Sequence, residues 1–285
     1  MRDDTTDVAV PTGTRSVELR PVRPGDVDWL YDLLVCERGG RWRYRGRTPD
    51  PAEFAADLWK GVFSQYVVRG ADGAALGLVG LYNVNAVAAT GHLFAVASAS
   101  AGPLVTEGAG ALVNWAFDHL EARKLWIEVA ESNLGQFARL ADVAEIEGRL
   151  TDFDYWQGRY WDHFILSIAR QRWDEALRPL VERRTLPIDP LPSAASGAPA
   201  AQLEPLLAEL LPLDSLGAVE LLATIEEQLD AAVPPEVVTD LPDDPRAAAA
   251  CIAARLGPPQ QCGARSAGSP GKGHEPSSVM TSQSS

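Results

Sequence analysis

Val105-Thr106-Glu107-Gly108-Ala109-Gly110 precedes a run in which Leu112, Trp115, Ala116, Phe117 and Leu120 recur at helical spacing. Together they predict a long amphipathic helix from about Thr106 to Leu120, entered through a glycine-bearing turn. Upstream, Gly91 to Ser98 reads as a strand and Ala99 to Gly102 as a loop of small residues. Where a strand passes through a glycine turn into a helix, free backbone N–H groups can receive a phosphate. The same glycines would also suit a helix that has to lie close against a sheet.

Outward from this stretch the pattern alternates between strands and helices. Val17 to Val22 alternates as a strand, and Pro24-Gly25-Asp26 opens a helix that turns Trp29, Leu30, Leu33 and Leu34 inward. Cys36 to Thr48 reads as a loop carrying Arg38, Arg41, Arg43, Arg45 and Arg47. Asp50-Pro51-Ala52-Glu53 then starts a helix to about Lys60, with Asp as the cap and Pro in the first turn. Gln65 to Arg69 and Ala75 to Asn83 flank Gly70-Ala71-Asp72-Gly73-Ala74, which has the turn chemistry of a hairpin. Beyond the central helix come a strand at Lys124 to Val129 and a short helix at Gln136 to Val143. Two strands, Ile146 to Phe153 and Tyr160 to Ile168, close the set around Trp156-Gln157-Gly158-Arg159.

This order resembles the GNAT acetyltransferase fold over about Val17 to Arg170. The segment Val105 to Gly110 is similar to the Gly-x-Gly/Ala part of that family's pyrophosphate loop. Glu131-Ser132-Asn133 after the fifth strand matches the family's Asn. Glu147-Gly148-Arg149-Leu150, with Gly158-Arg159-Tyr160-Trp161-Asp162, resembles the branch that acetylates protein N-termini and related amines. The resemblance implies an α+β fold: a mixed, mostly antiparallel sheet with flanking helices. It implies acetyl-CoA or another acyl-CoA as donor and an amine as acceptor. Gly108, Gly110 and Asn133 would contact the cofactor, and a backbone N–H near Phe94 to Val96 would meet the thioester carbonyl. The family's Gln/Arg position falls on Val105, and its general-acid Tyr falls near Leu140. For the base the residues offer His92 on the fourth strand and Glu128 or Glu131 by the fifth, with Tyr160 or a water as acid. Parity along the strands decides among them, and the sequence leaves that open.

A second stretch stands apart. In Leu213-Asp214-Ser215-Leu216-Gly217-Ala218-Val219-Glu220-Leu221-Leu222, the residues Leu216, Val219, Leu222, Ile225 and Leu229 form one helical face, with Asp214 and Ser215 at its start. Asp and Ser are also good N-cap residues in any helix. Val233 to Val238 reads as a connector and Ala247 to Leu256 as a last helix. This part resembles an acyl or peptidyl carrier protein, a small all-α bundle. The resemblance implies 4′-phosphopantetheine on Ser215 beside Asp214, and a phosphopantetheinyl transferase as partner. The bundle's first helix lies either at Leu203 to Leu210 or at Asp174 to Arg184.

Composition bounds these readings. The 285 residues carry a net charge of −14 and are 46% hydrophobic, which allows two modest domains and speaks against nucleic acid as a partner. Between Ala201 and Gly257 eleven Asp/Glu face two Arg, a net of −9. Cys36, Cys251 and Cys262 share no metal or redox spacing. The start Met1-Arg2-Asp3-Asp4 does not read as a signal peptide, and no run approaches a membrane span, so a cytoplasmic protein is expected. The expected division is a flexible arm at 1–15 and a GNAT-like acyltransferase domain at 16–173. Residues 174–202 form a linker or a first carrier helix with its loop, 203–257 the carrier-like domain, and 258–285 a disordered tail.

The expected activity is N-acylation of an amine, with donor or acceptor tethered on the Ser215 arm. Tethering raises effective concentration, so little intrinsic affinity is required. The setting would be specialised metabolism such as antibiotic biosynthesis, with polyketide or nonribosomal peptide enzymes as partners. Two rival readings stand beside it: loading of an acyl group from CoA onto the arm sulfur, and a non-catalytic GNAT fold that only presents the carrier. Arg41, Arg43 and Arg45 are expected to dock the acidic carrier helix through Glu220, Glu226 or Glu227.

Overall fold

Alternation along the strands and one helical crossover build a single sheet. The structure, a computed structural model, describes residues 11, 13–37, 41–44, 47–99, 101–137, 143–185 and 200–256. The strands are β1 (Val17–Pro21), β2 (Val62–Gly70), β3 (Ala75–Asn85), β4 (Thr90–Ala97), β5 (Lys124–Ala130), β6 (Ala144–Trp156) and β7 (Arg159–Ala169). They lie in the order β1-β2-β3-β4-β5-β7-β6. The β2–β3 turn is made by Asp72, whose Oδ1 accepts from the Ala74 N–H at 2.9 Å, and by Gly73 at φ +80°. All pairs are antiparallel except β4 with β5. That parallel pair follows from its connection, since only a long crossover can bring a second strand back in the same direction.

The crossover is α4 (Gly102–His119). Its Leu112, Ala116 and Phe117 are buried in one core with Leu19, Val68, Val79, Leu81, Leu93 and Leu125. The opposite face of the sheet is covered by α1 (Val27–Tyr31), which runs on into a π-helical turn, by α2 (Arg41–Tyr44) and by α3 (Pro51–Asp57). There Leu30, Leu34, Phe54 and Leu58 meet Leu78 and Phe94. Asp50 caps α3 as expected, accepting from the Glu53 N–H at 2.9 Å. The result is a GNAT-like α+β fold with a mixed sheet and flanking helices.

Four expectations change. The central helix begins one turn before Thr106, because Pro103 sits in its first turn, where a missing N–H costs nothing. The Arg-rich segment is not all loop, since α2 interrupts it. The segment after β5 is a 3-10 turn, Glu131–Phe137, while residues 138–142 of the expected helix lie outside the described residues. And α5 (Arg170–Ala176) and α6 (Arg178–Thr185) pack on α4 through Trp173 and Val181, so they complete the first core.

A separate core holds α7 (Ala200–Leu210), α8 (Ser215–Leu229), the turn Pro235–Val238 and α9 (Pro245–Leu256). Leu203, Leu207 and Leu210 meet Leu221, Leu222, Ile225, Val237, Ile252 and Leu256. The helix before α8 is therefore α7, and residues 211–214 form the short connection. Residues 1–10 of the arm, Arg38, Arg45, the linker residues 186–199 and the tail 257–285 lie outside the described residues. Among the described residues no helix is long and apolar enough to cross a membrane.

Candidate active site

β4 and β5 pair only over Thr90↔Lys124, Gly91↔Leu125 and His92↔Trp126. Beyond that level β4 continues to Ala97 on β3 alone, while β5 continues to Ala130 on β7. The two strands therefore part, and the β5-facing edge of β4 over 93–97 presents alternate N–H and C=O groups to the gap. Phe94 and Val96, the expected carbonyl-binding residues, lie on this edge. Their side chains turn into the core under α1 and α3, leaving backbone to face the gap.

Strand parity places the titratable groups. His92 shares the Phe94 face of β4, and Glu128 lies on the face of β5 opposite Leu125 and Val129. The two meet, with His92 Nε2 at 3.9 Å from Glu128 Oε1. From β7, His163 Nε2 stands 3.5 Å from Glu128 Oε2, and its Nδ1 is 2.7 Å from Asp154 Oδ2 on β6. From β3, the Tyr82 hydroxyl donates to Glu128 Oε1 at 3.4 Å. The His92 ring lies between those of Tyr82 and Trp126, at centroid distances of 4.9 Å and 5.1 Å.

Electrostatics divides the roles. Burial pushes His92 below its usual range, against the pull of the Glu128 carboxylate, so near neutral pH it is an uncharged imidazole. His163 is held above its usual range, first by the Glu128 carboxylate 3.5 Å away and also by Asp154, against burial. The same His163 contact keeps Glu128 ionised, below its usual range. Beside the cluster Glu147 is lowered to about 2, chiefly by Lys124, then by Ser167 and Trp126. A base kept neutral by burial thus faces a carboxylate beside a histidine that the carboxylate biases toward its charged form.

Of the four expected catalytic residues the structure joins His92 and Glu128. The Glu131 carboxylate instead accepts from the Asp162 N–H at 3.3 Å, which ties the turn after β5 to β7. Tyr160 stands exposed at the β6–β7 turn, its ring against Tyr155. Asn133 is exposed in the 3-10 turn. Tyr82, Asp154 and His163 were not among the expected residues. Only the pairing of β3, β7 and β6 with their neighbours brings them to Glu128, and no local spacing announces that.

The expected phosphate cradle also moves. Gly108 and Gly110 lie inside α4, away from its free N–H groups. A Cβ on Gly108 would stand 3.2 Å from Leu19 and Val68 atoms, and one on Gly110 would stand 2.9 Å from Val181. Their role is close packing. Val105 is likewise buried, over Gly77 of β3, and is no vacant phosphate contact. The start of α4 is Gly102, and what stands there is Ser215: a Cβ on Gly102 would lie 2.7 Å from its Oγ.

Ser215 opens α8, capped by Asp214 Oδ1, which accepts from the Gly217 N–H at 2.7 Å. Ala218, Val219 and Leu222 of α8 face Pro103, Leu104 and Glu107 of α4 across one crevice. Behind it lies a charged network. Arg184, fully buried, reaches Glu107 at 3.2 Å and also pairs with Glu226 of α8, while Arg15 reaches Glu226 at 2.6 Å. Ser16 Oγ accepts from Arg184 at 2.5 Å. Two cations and two carboxylates balance in the low-dielectric interior, where an unpaired charge would be expensive.

Two of the acidic residues expected to dock on the Arg-rich segment are engaged elsewhere, and so is Arg43. Glu226 is committed to Arg184 and Arg15, and Glu227 to Arg183. Arg43 donates to the backbone carbonyls of Leu58 and Lys60, and Arg47 pairs with Glu53. Those pairs tie the segment to α3 and to the turn that follows it. The side chains of Arg41 and Arg45 lie outside the described residues.

Residues 16–141 match the family described as Acetyltransferase (GNAT) domain. Among solved structures, the spermidine N-acetyltransferase from Vibrio cholerae in complex with CoA and spermine is similar at 17% identity. It covers 56% of this chain and 99% of its own, with a TM-score of 0.47. The spermidine/spermine N-acetyltransferase of the same organism in complex with manganese ions is similar at 18% identity, covering 57% and 98%, with a TM-score of 0.44. No curated protein matches the chain.

Proposed function

We propose that the chain transfers an acyl group from a pantetheine thioester to an amine, and that Ser215 carries a phosphopantetheine arm. The observation that carries the transfer reading is the His92–Glu128–His163 cluster beside the gap where β4 and β5 part. The GNAT family match over residues 16–141 supports it. For the arm, the support is Asp214-Ser215-Leu216 at the start of α8 in a small helical bundle with a core of its own.

Pantetheine would enter where β4 and β5 part, its amides running alongside the β4 backbone as an added strand would. A pantetheine thioester, on coenzyme A or on the Ser215 arm, supplies an acyl group activated toward nucleophiles. His92, neutral because it is buried, takes a proton from the incoming ammonium. Glu128, held ionised by His163, stabilises the imidazolium that forms. A backbone N–H on the β4 edge polarises the thioester carbonyl. A C–N bond forms and the C–S bond breaks. The nitrogen's second proton goes to the departing sulfur, giving an amide and a free thiol, and His92 releases its proton to solvent. Tyr82 and Trp126 flank the imidazole and shape the acceptor side.

His92→Asn keeps the size of the side chain and removes the base. Its kcat with an acyl thioester and a panel of primary amines should fall about 10²–10⁴-fold with KM little changed. An unchanged kcat would show that His92 is not the base. Label that accumulates on the arm and never passes to an amine would identify sulfur loading as the reaction instead.

A further inference from the structure

We infer that the arm on Ser215 lies in the gap between β4 and β5 of its own chain, where it presents the tethered acyl group as donor in the position coenzyme A would otherwise take. This rests on reading Ser215 as the attachment site. Three observations carry it. First, the Ser215 hydroxyl stands against Gly102, at the end of the loop leaving β4, so the arm begins at the mouth of the gap. α8 touches both α4 and the turn after β5, and those elements follow the two parting strands. Second, the position is held. Arg184 is fully buried between Glu107 of α4 and Glu226 of α8, so the carrier-like bundle is fixed on the domain through a dry ionic contact.

Third, the arm is of the same order of length as the strand it would follow. From Ala97 back to His92 the strand covers five residues, roughly 17 Å at the usual rise. A phosphopantetheine arm spans about thirteen bonds from phosphorus to sulfur, roughly 16 Å at the reach per bond of an extended polypeptide. An arm starting at Ser215 and running along β4 extends from the mouth of the gap toward His92. The acyl carbon then lies beside the base, and the amine approaches from the Tyr82 and Trp126 side. The tethered group is therefore donor, not acceptor. Coenzyme A would need the same gap, with its nucleotide end where α8 meets Gly102.

The test uses the full chain, treated with a broad-specificity phosphopantetheinyl transferase and coenzyme A. Intact mass first shows whether one phosphopantetheine is added and whether Ser215→Ala prevents it; no addition to the wild type, under conditions that modify another carrier, would overturn the attachment reading itself. On the modified protein the arm thiol is alkylated with N-ethylmaleimide, and the mass of the Ser215 peptide is followed, which separates it from the cysteines. An arm in the gap nine-tenths of the time should react about tenfold slower than free pantetheine. The protection should not change on dilution, and Gly102→Val, whose side chain would displace Ser215, should remove it with the circular dichroism unchanged. A modified protein whose thiol reacts as fast as free pantetheine would leave the attachment intact and overturn the placement. Protection that fades on dilution would mean the arm enters another chain, and would overturn it too.

Discussion

At the residue scale the molecule sets two histidines to opposite purposes. His92 is pushed down by burial and His163 is raised by Glu128 and Asp154. Because the folded His163 binds its proton more tightly than an unfolded histidine, its contribution is fully present below the unfolded value of about 6.5. It is lost as pH rises through the higher folded value. The difference in melting temperature between wild type and His163→Asn should therefore shrink as pH rises above about 6.5. A difference that grows over that range would contradict the Glu128–His163–Asp154 contacts. His92 and Glu128 were legible as titratable groups on two adjacent predicted strands. His163 was not, because its place beside Glu128 depends on the pairing of β5 with β7, which no residue near His163 encodes.

At the element scale α4 shows how one helix start changes the meaning of its residues. The predicted helix began at Thr106, which left Gly108 and Gly110 near a phosphate-binding end. The signal for the earlier start was present in Pro103, a residue that favours the first helical turn. With the start at Gly102, both glycines become packing positions, Gly108 against Leu19 and Val68. Gly108→Val should accordingly destabilise the protein by about 1–3 kcal/mol through overpacking, seen in chemical denaturation. A variant as stable as the wild type would restore the phosphate-loop reading. The strands and the capped α3 were legible because alternation and Asp50-Pro51 act locally. The identity of the helix before α8 was not, since α6 and α7 are both amphipathic and only the surface each one finds tells them apart.

At the scale of the whole molecule the helical bundle of α7, α8 and α9 and the sheet domain share one buried charge network. Removing one member leaves the others without compensation, so Arg184→Ala should cost about 3–5 kcal/mol. The neighbouring Arg183–Glu227 pair is exposed on both sides, and Arg183→Ala should cost less than about 1 kcal/mol. Salt should weaken the second pair and barely touch the first. Equal costs for the two variants in urea unfolding would show that the network does not hold the two parts together. The charge asymmetry of the chain was legible, with its acidity concentrated after Ala201. The receiving cations were not, because Arg15 and Arg184 are far apart in sequence and look like ordinary single charges.

On the proposed attachment at Ser215, its close approach to Gly102 also bears on how the arm is added. An enzyme that attaches the arm must reach the serine oxygen, and in the closed arrangement α4 covers one side of it. Attachment then waits on a brief lifting of α8 from α4, and its pace reports how often that happens. Loosening the hold with Arg184→Ala should speed the gain in mass under the transferase even as the folded protein becomes less stable. A chain that is easier to modify would be a poorer host for its own arm.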